Sequence, residues 1–134
     1  MSIPHKENVY RRSFSFTLEG DPVPLARARM GNHKLYDGQK HIKNVARTQL
    51  LSQFNNTQQF TGPLHVHIEF FFQIPKQHKI GEFHHTRPDI SNCVKFVEDI
   101  MNGIVFPDDC LIASLTSKKT YDEKPRTEFY IMEL

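Results

Sequence analysis

The sequence predicts an α+β fold in which a small mixed β-sheet packs against two helices, in the order strand, helix, strand, helix, strand, strand. Three observations support it: a run at 63–75 with apolar residues at period two, a helix-spaced apolar stripe at 89–102, and two further strand-like runs at 110–121 and 126–133. The 134 residues suffice for one hydrophobic core. We therefore expect a single domain over 1–134, with residues 1–12 as a flexible tail.

The first half contains a strand, a basic arm and a helix. Residues 13–20 alternate and end in Gly20, which is typical of a strand. Residues 21–36 contain two prolines and a glycine, so we expect an irregular arm. Residues 37–54 predict a helix, because its apolar residues are broadly helix-spaced. These apolar residues are Ile42, Val45, Leu50 and Phe54, and Lys40, Lys43 and Arg47 belong to the predicted polar face.

The second half carries the clearest patterns. In the strand 63–75, one face is apolar and the other is polar. The apolar face holds Leu64, Val66, Ile68, Phe70 and Phe72, and the polar face holds His65, His67 and Glu69. After a loop rich in Lys and His, the helix 89–102 is predicted to bury Ile90, Cys93, Val94, Val97 and Met101. Asn102 and Gly103 are a natural helix stop.

Charge and composition exclude several classes of protein. The net charge of +2 combines an excess of basic residues before position 89 with an excess of acidic residues after it. This asymmetry suits a protein that attracts a polyanion and acts on it with a metal, although ordinary surface scatter gives the same totals. No apolar run is long enough for a membrane span, and no secretion signal or phosphate-binding loop is present. We expect a soluble, cytoplasmic protein with reduced thiols, no membrane partner and no nucleotide cofactor.

Three aspartates are candidates for a metal site. Asp89 opens the second helix, and Asp108 and Asp109 follow its end. A helix of about 14 residues is about 21 Å long, and a five-residue loop at about 3.5 Å per residue could just bring Asp109 back to Asp89. Such oxygen ligands suit Mg²⁺. Each residue also has a structural alternative: Asp89 as a helix cap, the two later aspartates as a turn, and Lys95 as a helical ion-pair partner of Asp99 or Glu98.

The stretch "RPDISNCVKFVEDIMNGIVFPDDCLI" resembles the signature of the RusA family of Holliday junction resolvases. The signature combines a helix opening of the form D-[IL]-D-N-x-x-K with a later D-D-x-x-[IV]. The matching residues are Asp89, Ile90, Asn92, Lys95, Asp99, Asn102, Gly103, Asp108, Asp109 and Ile112. "GDPVPLARARM", "KLYD" and "PRTEFYI" resemble other parts of the family pattern, so the resemblance covers about residues 13–132.

The resemblance implies a RusA-like fold and a homodimer that cuts four-way DNA junctions symmetrically with Mg²⁺, or alternatively Mn²⁺, in recombination and repair. It implies that Asp89 and Asp109 bind the metal and are catalytic, that Asp108 is a further metal ligand, and that Lys95 steadies phosphate charge. Arg27 and Arg29 fall on its basic motif. Together with other basic residues they form the predicted DNA surface, which consists of Arg27, Arg29, Lys34, Lys40, Lys43, Arg47, Lys76, Lys79 and Arg87.

Ser91 departs from the pattern, because the family has an acid at this position. Three outcomes are open. Ser91 could hold a metal-bound water, another acid could substitute, with Glu69 as the first choice, or metal affinity could fall until the protein binds branched DNA without cutting it efficiently. Ser and Asp both cap helices well, so the replacement need not disturb the fold.

Overall fold

Strands and helices follow one another in the predicted order, with one addition. The structure, a computed structural model, describes residues 11–26, 29–31, 34–36 and 38–134, with the backbone alone for 29–31 and 34–36. Its elements are β1 (Ser13–Glu19), β2 (Arg29–Gly31), β3 (Lys34–Tyr36), α1 (Lys40–Gln53), β4 (Leu64–Gln73), α2 (Ile90–Met101), β5 (Ile112–Asp122) and β6 (Arg126–Glu133). The addition is the antiparallel pair β2–β3, which lies in the arm that the sequence predicts to be irregular.

The main sheet is mixed, as predicted. Its strand order is β1-β6-β4-β5, with β4 and β5 parallel and the other pairs antiparallel. On β4 the predicted apolar face is buried from Leu64 to Phe72, and it packs against the helices in one core. The opposite sheet face carries His65, His67 and Glu69, and we call it the open face.

The buried face of α1 differs from the predicted one. Leu50 and Phe54 are buried as predicted, but Ile42 and Val45 are 44% and 47% exposed, and Lys43 and Ala46 are buried instead. Burial of Lys43 is possible because its ammonium group pairs with the Asp99 carboxylate of α2 at 3.0 Å. The charge partner on α2, which the periodicity of α1 does not show, therefore rotates this helix and removes Lys43 from the predicted DNA surface.

The apolar stripe of α2 is largely as predicted. Cys93, Val94, Val97 and Met101 are buried, and Phe96 and Ile100 join them. Ile90 is only partly buried against the core. In the part of the chain that the structure describes, no helix has the length and apolar character needed to cross a membrane.

Arg12 packs against the fold, contrary to the prediction for this residue. Arg12, which the sequence assigns to a flexible tail, stacks on the Phe60 ring at 4.3 Å, and its main-chain N–H donates to the Glu133 carboxylate at 3.1 Å. The predicted tail otherwise falls on residues 1–10, which lie outside the described residues.

Candidate functional site

Asp89 immediately precedes α2 without capping it. Its backbone has the extended conformation of a cap residue (φ −66°, ψ 139°), but its carboxylate accepts no capping hydrogen bond and the residue is exposed. The structural alternative, in which Asp89 serves only as a helix cap, is therefore not supported. The exposed carboxylate is therefore available to bind a ligand.

Lys119 fixes the loop that carries Asp89. Its ammonium group donates to the carbonyl oxygens of Thr86 and Pro88, both at 2.7 Å. Charge-assisted hydrogen bonds of this kind are among the stronger ones in proteins. The position of Asp89 is therefore tied to the sheet through β5.

The base of the basic arm lies beside Asp89. Leu25 N–H donates to the Asn92 carbonyl at 2.9 Å, and a shallow pocket is lined by Pro24, Leu25, Arg87, Pro88, Asp89 and Asn92. Gln39 joins the two ends of the arm, because its side chain accepts from Ala26 N–H and donates to the Pro24 carbonyl, each at 2.8 Å. The β2–β3 hairpin therefore projects from a base next to Asp89. Arg27 lies outside the described residues, as do the side chains of Arg29 and Lys34.

Asp109 lies at the other end of α2. It opens a short 3-10 helix, Asp109–Leu111, and its Oδ2 atom is 3.4 Å from the donating Nδ2 of Asn102. It also shares a hydrogen bond with Glu98. Burial raises the pKa of the Glu98 carboxyl, and the charge and hydrogen bond of Asp109 raise it further. Two acids are thus held in contact at this end of the helix.

Asp108 has a local structural role. Its carboxylate accepts a hydrogen bond from Cys110 N–H at 3.4 Å and so caps the short 3-10 helix. Hydrogen bonding from Cys110 lowers the pKa of Asp108. This is the turn alternative that the sequence left open, although the exposed carboxylate keeps free acceptor capacity.

Within one chain the structure does not bring Asp89 and Asp109 together. They flank opposite ends of α2, whose 12 residues correspond to about 18 Å. Two carboxylates that share an Mg²⁺ ion need oxygen atoms about 2 Å from it. Among the described residues of a single chain, no three His, Cys, Asp or Glu side chains are grouped so that they could hold a metal ion. The predicted approach of Asp109 to Asp89 is therefore wrong for one chain.

The loop between α2 and the short 3-10 helix explains this difference. Gly103 N–H donates to the Phe106 carbonyl at 2.8 Å, and Val105 N–H donates to the Met101 carbonyl at 3.0 Å. Val105 and Phe106 are fully buried. The loop closes at the end of the helix instead of running back along it, because its apolar residues belong to the core.

The predicted substitute acid, Glu69, is not near α2. It lies on the open face of the sheet, where its carboxylate contacts His67 at 3.0 Å and Lys118 at 3.4 Å. Since α2 packs on the opposite face, Glu69 cannot replace the acid missing at Ser91. The structure places Glu98 next to Asp109 instead. The sequence suggested only a helical ion pair for Glu98, and the apolar stripe of α2 gave no signal of this contact.

Ser91, Lys95, Glu98 and Asn102 form one stripe along α2, because their spacing of four, three and four residues puts them on the same helical face. Ser91 and Lys95 are exposed. Asp99 contacts Lys43 at 3.0 Å and Arg47 at 3.6 Å. Among the described residues Asp99 thus pairs with α1 and not with Lys95, whereas the charge of Lys95 acts to lower the pKa of Glu98, the other helical partner that the sequence suggested.

The remaining basic candidates are at the surface. Lys76, Lys79 and Arg87 are exposed, as a phosphate-binding role requires. His84 is different: it is buried and stacks on the Phe72 ring with centroids 3.9 Å apart. Burial lowers the pKa of His84, and the nearby charge of Lys119 lowers it further, which favours the neutral ring in this packed position.

Known proteins resemble this chain over most of its length. The family described as "Endodeoxyribonuclease RusA" matches residues 19–132. The chain is 28% identical over 129 residues to the crossover junction endodeoxyribonuclease rusA of Lactococcus phage r1t, with 90% of this chain and 98% of the relative covered. It is 27% identical over 138 residues to the uncharacterized protein YqaN of Bacillus subtilis (strain 168), with 89% and 95% covered. The chain therefore belongs to the RusA family of endodeoxyribonucleases.

Proposed function

We propose that this protein is a homodimeric, Mg²⁺-dependent endonuclease that resolves four-way DNA junctions by paired symmetric cuts, and that each active site joins Asp89 of one subunit to Asp109 of the other. The observation that carries the proposal is the position of these two acids at opposite ends of α2. Asp89 precedes the 12-residue helix, which is about 18 Å long, whereas Asp109 contacts Asn102 at its other end, so one chain does not bring the two carboxylates to a single ion. Two copies related by a two-fold axis can form two equivalent sites, each with Asp89 from one copy and Asp109 from the other.

Each residue of such a site would have a separate role. Asp89 and Asp109 would bind the ion, which supplies charge neutralisation and water activation when it is bound. Lys95 would contribute positive charge near the scissile phosphate, where charge builds up during the reaction. Glu98, which contacts Asp109, is the acid best placed to offset the carboxylate missing at Ser91. Asp108 is a weaker ligand candidate, since it already caps the 3-10 helix.

The DNA contacts follow from where the basic residues lie. The base of the arm that carries Arg27, Arg29 and Lys34 is beside Asp89, and Arg87 lines the same pocket. Lys76 and Lys79 are exposed on the loop before α2. Contacts from such residues to phosphates carry little sequence information. Because they neutralise phosphates and release bound counterions, junction binding should weaken steeply with salt.

A labelled four-way junction tests the proposal directly. With Mg²⁺ the protein should produce paired nicks at symmetric positions, and with EDTA it should bind the junction without cutting it. Linear duplex of the same sequence is the control and should stay intact. Cleavage of the duplex at the same rate as the junction would contradict the proposal.

A second candidate function is non-catalytic binding of branched DNA. One observation favours it: Ser91 stands where the family pattern has an acid. Tight junction binding with no nicks at any Mg²⁺ or Mn²⁺ concentration would support this function over the first.

Replacing Ser91 with Asp should raise cleavage at limiting Mg²⁺. The change restores a carboxylate on the exposed stripe of α2, and it should leave stability nearly unchanged because Ser91 is exposed. We expect the Mg²⁺ concentration for half-maximal cleavage to fall about 10-fold, which corresponds to about 1.4 kcal/mol. Ser91→Asn is the matched control without charge and should not show this shift. A loss of cleavage in Ser91→Asp at low Mg²⁺ would instead assign the serine a role of its own.

A further inference from the structure

The segment 85–88, which leads into α2, is exposed over most of its length and has a single main-chain anchor. Before this segment, residues 81–84 bond to the C-terminal end of β5, and the last of these bonds joins His84 N–H to the Lys119 carbonyl at 3.0 Å. After it, α2 begins at Ile90. Among the described residues, the main chain of the segment itself bonds only to the Lys119 ammonium group.

Lys119 reaches this segment because of its position on β5. Lys118 and Lys119 are consecutive, so their side chains point to opposite faces of the sheet. Lys118 lies on the open face, where its ammonium group contacts the Glu69 carboxylate at 3.4 Å. Lys119 lies on the face that packs against the helices, and its ammonium group donates to the carbonyls of Thr86 and Pro88, both at 2.7 Å. The fold therefore directs one of two adjacent lysines to the segment 85–88.

The Lys119 ammonium group is held close to the start of α2. It lies 5.9 Å from the centroid of the Phe72 ring, which is part of the core. Burial is the main cause that raises the pKa of the Cys93 thiol to about 11, while the charge of Lys119 opposes the rise and the charge of Asp89 adds to it. A single thiol in the first turn of α2 thus lies near both charges.

The direction of the Asp89 side chain depends on the main chain before it. The carboxylate accepts no capping hydrogen bond and the residue is exposed, so the backbone that carries it determines where it points. Pro88 is the residue directly before it, and the Pro88 carbonyl is one of the two oxygens that Lys119 holds. In metal sites, changing a group that supports a ligand typically costs about 10–100-fold in metal affinity or activity.

We propose that Lys119 is a positioning residue of the candidate site: by holding the Thr86 and Pro88 carbonyls, it fixes the direction in which Asp89 presents its carboxylate to the metal ion. The inference rests on the proposed function, because it requires Asp89 to bind the ion. In this role Lys119 touches neither the metal nor the DNA, and two of its three N–H groups are already used by the two carbonyls.

Replacing Lys119 with Met should slow junction cleavage about 10-fold to 100-fold. Met keeps the apolar stem of the side chain but removes the ammonium group, so the segment 85–88 loses its anchor. Lys118→Met is the matched control, because the Lys118 side chain is 48% exposed and lies on the opposite face of the sheet, and it should cut at the wild-type rate. Cleavage by Lys119→Met at the wild-type rate overturns the proposal.

Two further measurements separate positioning from phosphate binding. Junction binding in EDTA should be equal for the wild type and Lys119→Met, whereas the Mg²⁺ concentration for half-maximal cleavage should rise in the variant. Without DNA, Mn²⁺ affinity, measured from the electron paramagnetic resonance signal of the free ion, should fall about 10-fold to 100-fold. Weaker junction binding in EDTA with unchanged Mg²⁺ and Mn²⁺ requirements would show that Lys119 contacts phosphate, and it would overturn the proposal.

A spin label tests the anchor without any nuclease activity. The nitroxide is attached at position 85 through His85→Cys, in a Cys110→Ser background that removes the exposed native thiol. Because position 85 is exposed, the label does not disturb the core. It should become more mobile when Lys119→Met is added and stay unchanged when Lys118→Met is added. A label that is equally immobile in folded Lys119→Met overturns the proposal.

Lys119→Gln keeps a polar side chain but loses the charge and the reach of the ammonium group. The same changes in cleavage, Mg²⁺ requirement and label mobility are expected of it, so the test does not depend on the folding of Lys119→Met.

The positioning role and the nuclease activity can fail independently. A wild-type protein that leaves junctions intact, with a label that becomes mobile only when the Lys119 ammonium group is removed, contradicts the nuclease and supports the anchor. Wild-type cleavage together with unchanged cleavage in Lys119→Met and Lys119→Gln supports the nuclease and contradicts the positioning role.

Discussion

An equimolar mixture of the Asp89→Asn and Asp109→Asn variants should nick a four-way junction that neither variant cuts alone. Each variant forms a dimer in which both composite sites lack one acid. A mixed dimer contains one site with both acids and one site with neither. With random exchange about half of the dimers are mixed, so about a quarter of all sites should be active. Cleavage by each variant alone should be at least about 100-fold below wild type, because changing even the residues that support a metal ligand costs about 10–100-fold.

The products provide an internal check. Because a mixed dimer has a single active site, it should make one nick and not the symmetric pair, and a gel assay with both strands labelled distinguishes the two. Asp89→Asn mixed with the Asp89→Asn/Asp109→Asn double variant is the control and should give no recovery. If subunits demonstrably exchange and the first mixture stays inactive, the acids are not shared between chains. If either variant cuts at the wild-type rate when alone, the substituted residue is not catalytic.

The sequence predicts the sheet well because its signals are local. On β4, alternation of five apolar residues requires one buried face, and the structure buries that face from Leu64 to Phe72. On α1 the same type of reasoning is right for Leu50 and Phe54 but fails for two other residues. Ile42 and Val45 look like core residues but are exposed, because the Lys43–Asp99 ion pair orients the helix. A contact between residues far apart in sequence leaves no trace in the periodicity of either helix.

The candidate site, like the fold, was predicted only in part: its residues were identified from the sequence, but their arrangement was not. The sequence identifies Asp89 and Asp109 as exceptional, and the structure keeps the Asp89 carboxylate free of any capping role. Their arrangement was not predictable, because loop length sets only how far a chain can reach. Burial of Val105 and Phe106 decides where this loop goes. The choice of Glu69 failed for the related reason that alternation assigns a sheet face but not the position of the helix above it.

Replacing Phe106 with Ala should lower the free energy of unfolding by about 3–5 kcal/mol, the usual cost of truncating a buried Phe. Phe106 is fully buried, and its carbonyl accepts from Gly103 N–H at 2.8 Å in the loop that leads to Asp108 and Asp109. Loss of the ring leaves a cavity at the point where this loop joins the core. Urea denaturation followed by circular dichroism measures the change.

Phe83→Ala is the matched control, because Phe83 is 69% exposed and its substitution should change stability by less than about 0.5 kcal/mol. Junction cleavage by folded Phe106→Ala should also fall, since the loop would no longer hold Asp109 in one position, whereas Phe83→Ala should retain wild-type cleavage. A Phe106→Ala protein that loses stability as expected but cuts normally would show that contacts with Glu98 and Asn102 are enough to position Asp109. Unchanged stability would mean that the core does not determine the path of this loop, and burial of its apolar residues would then not explain why the two acids lie apart.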